Sequence, residues 1–193
     1  NENFGKDIMI VFAGRTSLQV GGQRAGRRVW WEDSDPAVVQ RESPDCAYVL
    51  PELGNTAAIR SPHNNANLLV TGSWPPFGEL RSIRVGGGRF YSWEDEAQGR
   101  HVAFLGSDAK KQLFGTREAV GATIWIKDIP YSVIGVMREK NQNSSYDGQD
   151  VQKVFIPFSV MIQEIPNVPP SAPRSIDRLL VAPKSWASHE SCK

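Results

Sequence analysis

The pattern of apolar and polar residues predicts a strand, a helix and a second strand at the start of the chain. Every residue from Ile8 to Phe12 is apolar, which is typical of a strand buried on both faces. Asp33 or Ser34 can cap a helix that ends before Pro44. Cys46 to Leu50 is again mostly apolar and predicts the second strand. We expect two residues of the helix to face inward: Val38 and Val39.

The middle of the chain has a different pattern. From Ala57 to Ile156 the apolar runs are short and are separated by turn residues, which predicts a mostly β structure. Its clearest element is a hairpin in which alternating residues 123–127 turn at Asp128-Ile129-Pro130 and return through residues 131–136. Glycines 86 to 88 are expected to form a tight turn with positive φ.

The last third of the chain predicts one loop, one short helix and one strand. Residues 138–150 are polar and lack apolar periodicity, so they should form an exposed loop. A short helix is predicted at Phe158–Glu164, a strand at Ile176–Val181, and the beginning of another helix at Pro183–Lys193. The pattern as a whole predicts an α+β protein in which a β-rich stretch, residues 56–155, lies between two segments of mixed helix and strand, residues 1–55 and 156–193.

The stretch "RHVAFLGSDAKKQLFG", residues 100 to 115, has the outline of a turn that cradles a ligand. Ser107 can cap its helix, and Gly115 can end the helix in a left-handed conformation. The apolar residues fall on one face, and Lys110 and Lys111 fall on the opposite, solvated face. Each residue therefore has a structural role, and we assign no chemistry to this stretch.

Composition and charge exclude several classes of protein. The 193 residues include 22 basic and 21 acidic ones, so the net charge of +1 provides no field that would attract nucleic acid, and no such partner is expected. The longest apolar runs fall far short of the roughly 20 residues of a membrane helix. The chain begins at Asn1 without a leader, as an excised or processed piece would. Two cysteines leave their pairing open: Cys46 and Cys192.

Two glycine-rich segments are the nearest matches to phosphate-binding motifs. Gly21 and Gly26 have the spacing of a P-loop, but arginines follow them where lysine and a hydroxyl residue are required. Glycines 86 to 88 lack the G-x-G-x-x-G spacing of a dinucleotide site. No cofactor is therefore expected. The first segment is interpreted as an arginine-bearing loop, residues 14–28, with contact to an anionic partner or a lipid headgroup as the alternative.

No set of residues predicts catalysis or metal binding. The three histidines are far apart in sequence and have no ligand spacing, and the G-x-S-x-G pattern of serine hydrolases does not occur. His101 is interpreted as a solvent-facing histidine at the edge of a strand. The acidic triplet Glu94 to Glu96 is interpreted as a solvated polar turn. We therefore expect no enzyme, no catalytic residue and no metal site in this chain.

Several segments together resemble one protein family. The sequence "GGGRFYSWEDEAQGRHVAFLGSDAKKQLFGTREAVGATIWIKDIPYSVIGVM", followed by "DVQKVFIPFSVM", resembles the MacB-like periplasmic core domain of ABC transporter permeases, within the FtsX-like superfamily. "TSLQVGGQRAGR" near the start resembles the subgroup of duplicated orphan permeases. The matching motifs, in order, are Gly88-Arg89-Phe90, Asp95, Val102–Gly106, Leu113–Gly115, Val120–Ile124, Val133–Val136 and Ile156-Pro157.

The resemblance implies an extracytoplasmic, periplasmic domain between two transmembrane helices of an inner-membrane permease. It implies a porter-like α/β layer built from both chain ends, with a β-rich subdomain inserted, and it implies truncation before the last helix and strand of that layer. The implied role is mechanical transmission and docking during export. The implied partners are the permease's own transmembrane helices, a second protomer, an ATPase domain or subunit in the cytoplasm, and a periplasmic adaptor protein.

Two surface features follow as expectations. The loops at 14–28 and 138–150 should face partners, through Arg15, Arg24, Arg27, Arg28, Ser144, Ser145 and Tyr146. The alternative function is a module that binds lipids or lipoproteins, as in related permeases. For that function three aromatic residues should line a groove: Trp74, Phe77 and Trp93.

Overall fold

The computed structural model describes residues 9–12, 31–42, 46–139, 149–172 and 174–183. Its strands are β1 Met9–Phe12, β2 Trp31–Glu32, β3 Cys46–Arg60, β4 Asn65–Ser73, β5 Val85–Gly88, β6 Val102–Leu105, β7 Thr123–Ile126, β8 Ile129–Met137, β9 Val154–Pro157, β10 Ser175–Ile176 and β11 Arg178–Pro183. Its helices are α1 Asp35–Glu42, α2 Phe77–Leu80, α3 Trp93–Gln98, α4 Ser107–Phe114 and α5 Phe158–Glu164, with a 3-10 turn at Asp150–Gln152.

Nine of the described strands form one sheet. Their order is β1-β11-β3-β4-β9-β6-β8-β5, and β7 pairs with both β3 and β8. Most pairs are antiparallel, but β4 with β9 and β6 with β8 are parallel. Strands β2 and β10 form a separate pair. Helices and a mixed sheet in one chain confirm the predicted α+β class.

Strand β3 is much longer than the strand predicted at Cys46–Leu50. It covers 15 residues and continues to Arg60. Over its second half every residue from Glu52 to Arg60 pairs with β4. Pairing with β4 therefore extends the strand beyond the residues that the local pattern predicts. The division of the chain at residues 55 and 56 stays a prediction, and β3 runs through that point.

The core has two apolar clusters. The larger one contains alternate residues of β3, such as Leu53, Ala57 and Ile59, together with the buried faces of α4 and α5. The smaller one is aromatic: Phe77, Phe104 and Phe155 are all fully buried, with ring centroids about 6 Å apart. Such offset and tilted contacts between rings add to the stabilisation from burial alone.

Helix α1 lies where it was predicted, but one of its residues faces the other way. Val38 is 41% exposed, so the prediction that it faces inward is wrong. Pro36 is buried, and Val39 is half-buried against the larger core. Residues three apart lie on the same helix face, so Pro36 and Val39 form the inner face and Val38 is turned away from it.

The predicted hairpin forms, but its turn comes one residue early. Ile126 pairs with Ile129, so the loop consists only of Lys127 and Asp128. Both have positive φ, 50° and 66°. Positive φ at both positions is typical of the two-residue turn that matches the twist of a hairpin. The glycines at 86 to 88 form part of β5 instead of the predicted tight turn. Of these three glycines, Gly88 alone has a positive φ.

Helix α4 confirms the predicted helix and the predicted stop at Gly115, whose φ is +60°. The predicted cap is wrong: Gly106 is the capping position, no side chain caps the helix, and Ser107 is the first helical residue. Lys111 is exposed as predicted, whereas Lys110 donates from Nζ to the Gly115 carbonyl at 2.9 Å. This bond satisfies a carbonyl at the end of the helix.

The C-terminal elements agree in part with the sequence. Helix α5 has the predicted bounds, Phe158–Glu164. The predicted strand at Ile176–Val181 is interrupted, because the backbone N–H of Asp177 donates to the carbonyl of Glu52 and its carboxylate accepts from the N–H of Gly54. The predicted helix after Pro183 and the pairing of Cys46 with Cys192 involve residues outside the described ranges.

Candidate interaction surface

Asp95 is the centre of a buried ion-pair cluster. Its side chain is fully buried, although the sequence predicted a solvated position for it. Arg89 donates to its Oδ2 at 2.7 Å, and Arg100 donates to its Oδ1 at 3.1 Å. Ser92 and Asp95 also cap helix α3 reciprocally. The acidic position and the arginine of the family motif are therefore partners in the fold.

The protonation of Asp95 follows from these contacts. Burial alone would raise its pKa, but the hydrogen bonds from Arg89, Ser92 and Arg100 outweigh burial and hold the pKa well below the usual range of a carboxyl. The capping spacing Ser-x-x-Asp from Ser92 to Asp95 was a signal in the sequence that could have indicated this role. Three consecutive acidic residues otherwise look alike in the sequence, so composition alone does not separate Asp95 from Glu94 and Glu96.

The two neighbours of Asp95 differ from it and from each other. Glu94 is 65% exposed, as predicted for a solvated residue, and its Oε1 lies 3.0 Å from the Arg100 guanidinium. Glu96 accepts the backbone N–H of Ser159 at 3.0 Å, at the start of α5, and the Ser159 hydroxyl donates to the Glu96 carbonyl at 2.7 Å. Burial raises the pKa of the Glu96 carboxyl. This residue therefore joins α3 to α5.

A second buried charge cluster lies between the 3-10 turn and the start of β9. Asp150, 1% exposed, accepts from Arg81 at 3.0 Å and from Lys153 at 2.9 Å. Glu52 is also buried, with its Oε2 atom 3.8 Å from Nε of Arg178. Burial raises the pKa of Glu52. Burial within the fold explains the shifted pKa of Glu52. The shift therefore does not by itself indicate a catalytic residue.

An aromatic cleft is the clearest apolar feature of the described surface. Trp93 is 52% exposed, and its ring lies 5.7 Å from that of Trp74. Phe77 is fully buried in the core, so the prediction that it lines the groove is wrong. The volume of the cleft is about 470 Å³. Its walls include Tyr48, Pro75, Pro76, Val85, Phe90 and Trp93.

The position of the aromatic cleft in the fold follows from Tyr48. This residue lies two positions from the start of β3 and pairs with Ala182 near the end of β11. β11 also pairs with β1, so both described ends of the chain lie at this side of the sheet. The cleft is therefore nearer to Met9 and Ala182 than to the turn after β3.

The other sequence-predicted residues are placed as follows. His101 is 40% exposed as expected, and its Nε2 lies 3.0 Å from Glu164 Oε1. No group of three His, Cys, Asp or Glu side chains among the described residues could hold a metal ion. No helix within the described ranges is long and apolar enough to cross a membrane. The predicted partner-facing residues lie outside the described ranges: Arg15, Arg24, Arg27, Arg28, Ser144, Ser145 and Tyr146.

The motif residues that resemble those of permease domains lie in the core and in the Asp95 cluster. The chain belongs to the family of MacB-like periplasmic core domains, whose family model matches residues 1–191.

Two curated relatives show the kind of protein to which the chain is similar. The macrolide export ATP-binding/permease protein MacB of Bdellovibrio bacteriovorus is 27% identical over 157 residues, which are 80% of this chain and 24% of the relative. The pyoverdine export ATP-binding/permease protein PvdT of Pseudomonas aeruginosa is 29% identical over 126 residues, 65% of this chain and 19% of the relative. The chain thus spans about a quarter or less of these relatives.

Solved structures agree with this fold. The periplasmic region of MacB from Actinobacillus actinomycetemcomitans matches with a TM-score of 0.74 at 20% identity, over 99% of this chain and 84% of that one. The extracellular domain of the transporter YknZ from Gram-positive bacteria matches with a TM-score of 0.76 at 14% identity, over 96% and 88% of the two chains. At these identities the likeness concerns the fold alone.

Proposed function

We propose that this chain is the extracytoplasmic domain of an ABC-type export permease, where it transmits conformational change and docks partner proteins. The observation that carries the proposal is the family match over residues 1–191, supported by the fold of two transporter domains. The relatives are named as exporters, and export is therefore the proposed process. ATP hydrolysis takes place in a cytoplasmic domain or subunit, outside this chain.

The sheet suits a domain that transmits movement. β3 covers 15 residues, which is roughly 45 Å at about 3.3 Å per residue, and it pairs with β11, β4 and β7. β11 pairs with its first half and β4 with its second half, so the strand has a paired neighbour along its length. In the proposed permease it carries displacement from the chain ends, where the transmembrane helices attach, to the far end of the domain. The second protomer and a periplasmic adaptor protein are the proposed docking partners.

Excision of the domain tests the transmission role. In the complete permease, with its ATPase, residues 9–183 are replaced by a short Gly-Ser linker. We expect ATP hydrolysis in proteoliposomes to persist while export falls to the level of a variant without ATPase activity. Hydrolysis and export are measured on the same preparation. Export at the level of the unaltered transporter after excision would show that the domain transmits nothing needed for transport.

The aromatic cleft favours a second candidate function, the binding of a lipid or lipoprotein. Trp93 and Val85 are 52% and 42% exposed, and they lie at the side of the sheet where the described chain ends lie. In a membrane-anchored domain this side is the one nearest the bilayer. Burial of this exposed aromatic and aliphatic surface against an acyl chain is favourable, because it removes apolar area from water.

Replacement of Trp93 by alanine tests this candidate. We expect the affinity for a fluorescent palmitoylated lipopeptide to fall about tenfold, because the variant loses roughly 1.4 kcal/mol or more of apolar contact. The measurement is fluorescence anisotropy during titration. Trp125→Ala, at the opposite end of β3, serves as the matched control and should bind normally. Saturable binding that both variants retain would place the lipid elsewhere, and no binding would remove this function.

A further inference from the structure

One side of β4 lacks a described neighbour over its first five residues. Strand β3 pairs with all of β4. On the other side of β4, β9 begins at Val154, opposite Val70. Among the described strands nothing pairs with the outer side of residues 65–69, a stretch that we call the β4 edge. Its length is sufficient for an added strand of ordinary size.

The main-chain groups of Asn67 point toward this free side. Asn67 lies opposite Ala58 of β3, and the Ala58 carbonyl accepts from the N–H of Lys127, directly after β7, at 3.1 Å. Two residues opposite each other in an antiparallel pair either bond each other or both point away. Ala58 points away from β4, so Asn67 points away from β3. Within the described part of the chain, its N–H and C=O therefore have no bonding partner.

The β4 edge opens onto a groove of about 550 Å³, which we call the edge groove. Its lining includes Asn67 and Leu69 of β4, Gln112 of α4, and Gln149, Gln152 and Lys153 around the 3-10 turn. Amides both donate and accept hydrogen bonds, so the three glutamines suit the second edge of an added strand.

The charge of the edge groove favours an uncharged ligand. Lys153 is the ion of its lining, and the buried Nζ of this residue already lies 2.9 Å from the Asp150 carboxylate. A charged side chain that entered the groove would lose hydration without gaining a free partner there. The main chain of a peptide, in contrast, offers neutral donors and acceptors.

The β4 edge also lacks the charges, prolines and bulges that usually keep strand edges from pairing. Residues 65–69 are Asn-Ala-Asn-Leu-Leu, and their register with β3 is regular. Strand β5, at one end of the sheet, differs, because its register shifts between Val85 and Gly87. An unblocked edge beside an open groove is the arrangement to which an extended peptide adds a strand.

These features select one kind of occupant. We propose that the β4 edge binds an uncharged, extended segment of a partner protein, which adds a strand beside Asn67 and fills the edge groove. One row of its side chains covers Leu69, which is 37% exposed. A second copy of the chain fits less well, because it would bring a whole sheet into a groove that Gln149 and Gln152 line on the other side. The inference rests on the proposed docking role and gives it a surface.

The test uses a capped hexapeptide of alternating valine and threonine as the probe and the full 193-residue chain as the protein. The main-chain N–H resonance of Asn67, assigned by its loss in Asn67→Pro, reports the site in an NMR titration. We expect the probe at millimolar concentration to shift this resonance and to slow exchange of the N–H with solvent. A probe with proline at its two central positions lacks donors on both edges and should do neither.

Two variants separate pairing of the main chain from contact with the side chain. Asn67→Pro should weaken binding of the probe about tenfold or more, because it removes the donor and blocks the added strand. The N–H of Asn67 does not bond β3, so this proline leaves the β3–β4 ladder intact. Asn67→Ala keeps the main chain and should bind normally, as should Trp93→Ala in the aromatic cleft.

Three outcomes would overturn the proposal. The first is no shift of the Asn67 resonance by the valine–threonine probe. The second is equal binding of the proline-containing probe, which would mean that no strand is added. The third is slow exchange of the Asn67 N–H without any probe, which would show that the edge is already covered, by a second copy if the protection depends on protein concentration. The excision experiment tests transmission, so its failure would leave this inference standing.

Discussion

Replacement of Asp95 by alanine is expected to destabilise the domain by about 3 kcal/mol. The carboxylate is fully buried and accepts hydrogen bonds from Arg89, Arg100 and Ser92, so the variant leaves these three donors without their acceptor. The two guanidinium groups are 50% and 39% exposed, and water can partly replace the carboxylate, which limits the loss to the lower end of the range for buried pairs. Urea unfolding at neutral pH measures the effect.

The neighbouring residue provides the control. Glu94 has the same charge and also pairs with Arg100, but it is 65% exposed. We expect Glu94→Ala to cost less than about 1 kcal/mol, as exposed ion pairs do. Equal losses for the two variants would mean that burial of Asp95 contributes nothing beyond surface charge.

The same residue predicts a pH dependence. The pKa of Asp95 is lower in the folded protein than in the unfolded chain, where it is about 3.9. Its stabilisation is therefore present above that pH and is lost as the pH falls below it. We expect the difference in unfolding free energy between the wild type and Asp95→Asn to shrink from pH 6 towards pH 3. A constant difference would show that the stabilisation by Asp95 does not depend on the ionisation of its carboxyl group.

Two other carboxyls act with the opposite sign. Burial raises the pKa values of Glu52 and Glu96 above those of the unfolded chain. Their ionisation therefore costs stability as the pH rises through the folded-state values. The comparison of wild type with Asp95→Asn removes this contribution, because both proteins contain both glutamates.

Replacement of Gly106 by alanine is expected to cost about 3 kcal/mol or more. A Cβ atom at this position would lie closest to the Val151 carbonyl oxygen and 2.6 Å from the Asp150 carbonyl oxygen. Backbone atoms cannot rotate away, and the N–H of Gly106 also donates to the Lys153 carbonyl at 2.8 Å. The variant must therefore separate α4 from the 3-10 turn. Thermal and urea unfolding would both show the loss.

Gly54 is the matched control for this variant. It also lies in regular structure, but a Cβ atom there would meet Leu69 and Thr71 at 3.5 Å, which is ordinary van der Waals contact. We expect Gly54→Ala to change the unfolding free energy by less than about 1 kcal/mol. If Gly106→Ala unfolds like Gly54→Ala, the close approach of α4 to the 3-10 turn is not needed for the fold.

Predictions from the sequence succeeded where a local pattern decides the structure. Helix α5 has the bounds expected from its apolar residues, and Gly115 ends α4 because glycine adopts a positive φ without steric cost. The hairpin at residues 123–136 was found by alternation, but its turn was placed one residue late. The pair Lys127-Asp128 contains no glycine, so the sequence did not mark the two positions that adopt positive φ.

Predictions failed where tertiary packing decides which side chains are buried and which elements lie side by side. Asp95 looks like a solvated acid beside Glu94 and Glu96, and only the fold brings Arg89 and Arg100 onto it while burying its carboxylate. Trp125 could be recognised as the outward residue between Ile124 and Ile126, but the sequence did not show which strand lies beside it. The cleft that Trp125 lines depends on the register of β3 with β4 and β7, which the local pattern does not contain.

Local pattern is enough to predict the α+β class, the position of α5 and the family, since periodicity and motif order are properties of neighbouring residues. The tertiary structure decided which charges are buried, that β3 continues to Arg60, and that Trp93 and Trp125 line separate clefts at opposite ends of that strand. These features depend on which strands pair and which side chains pack together in the folded chain. The free energy of burying a side chain is set by what packs on it, and local pattern does not contain that information.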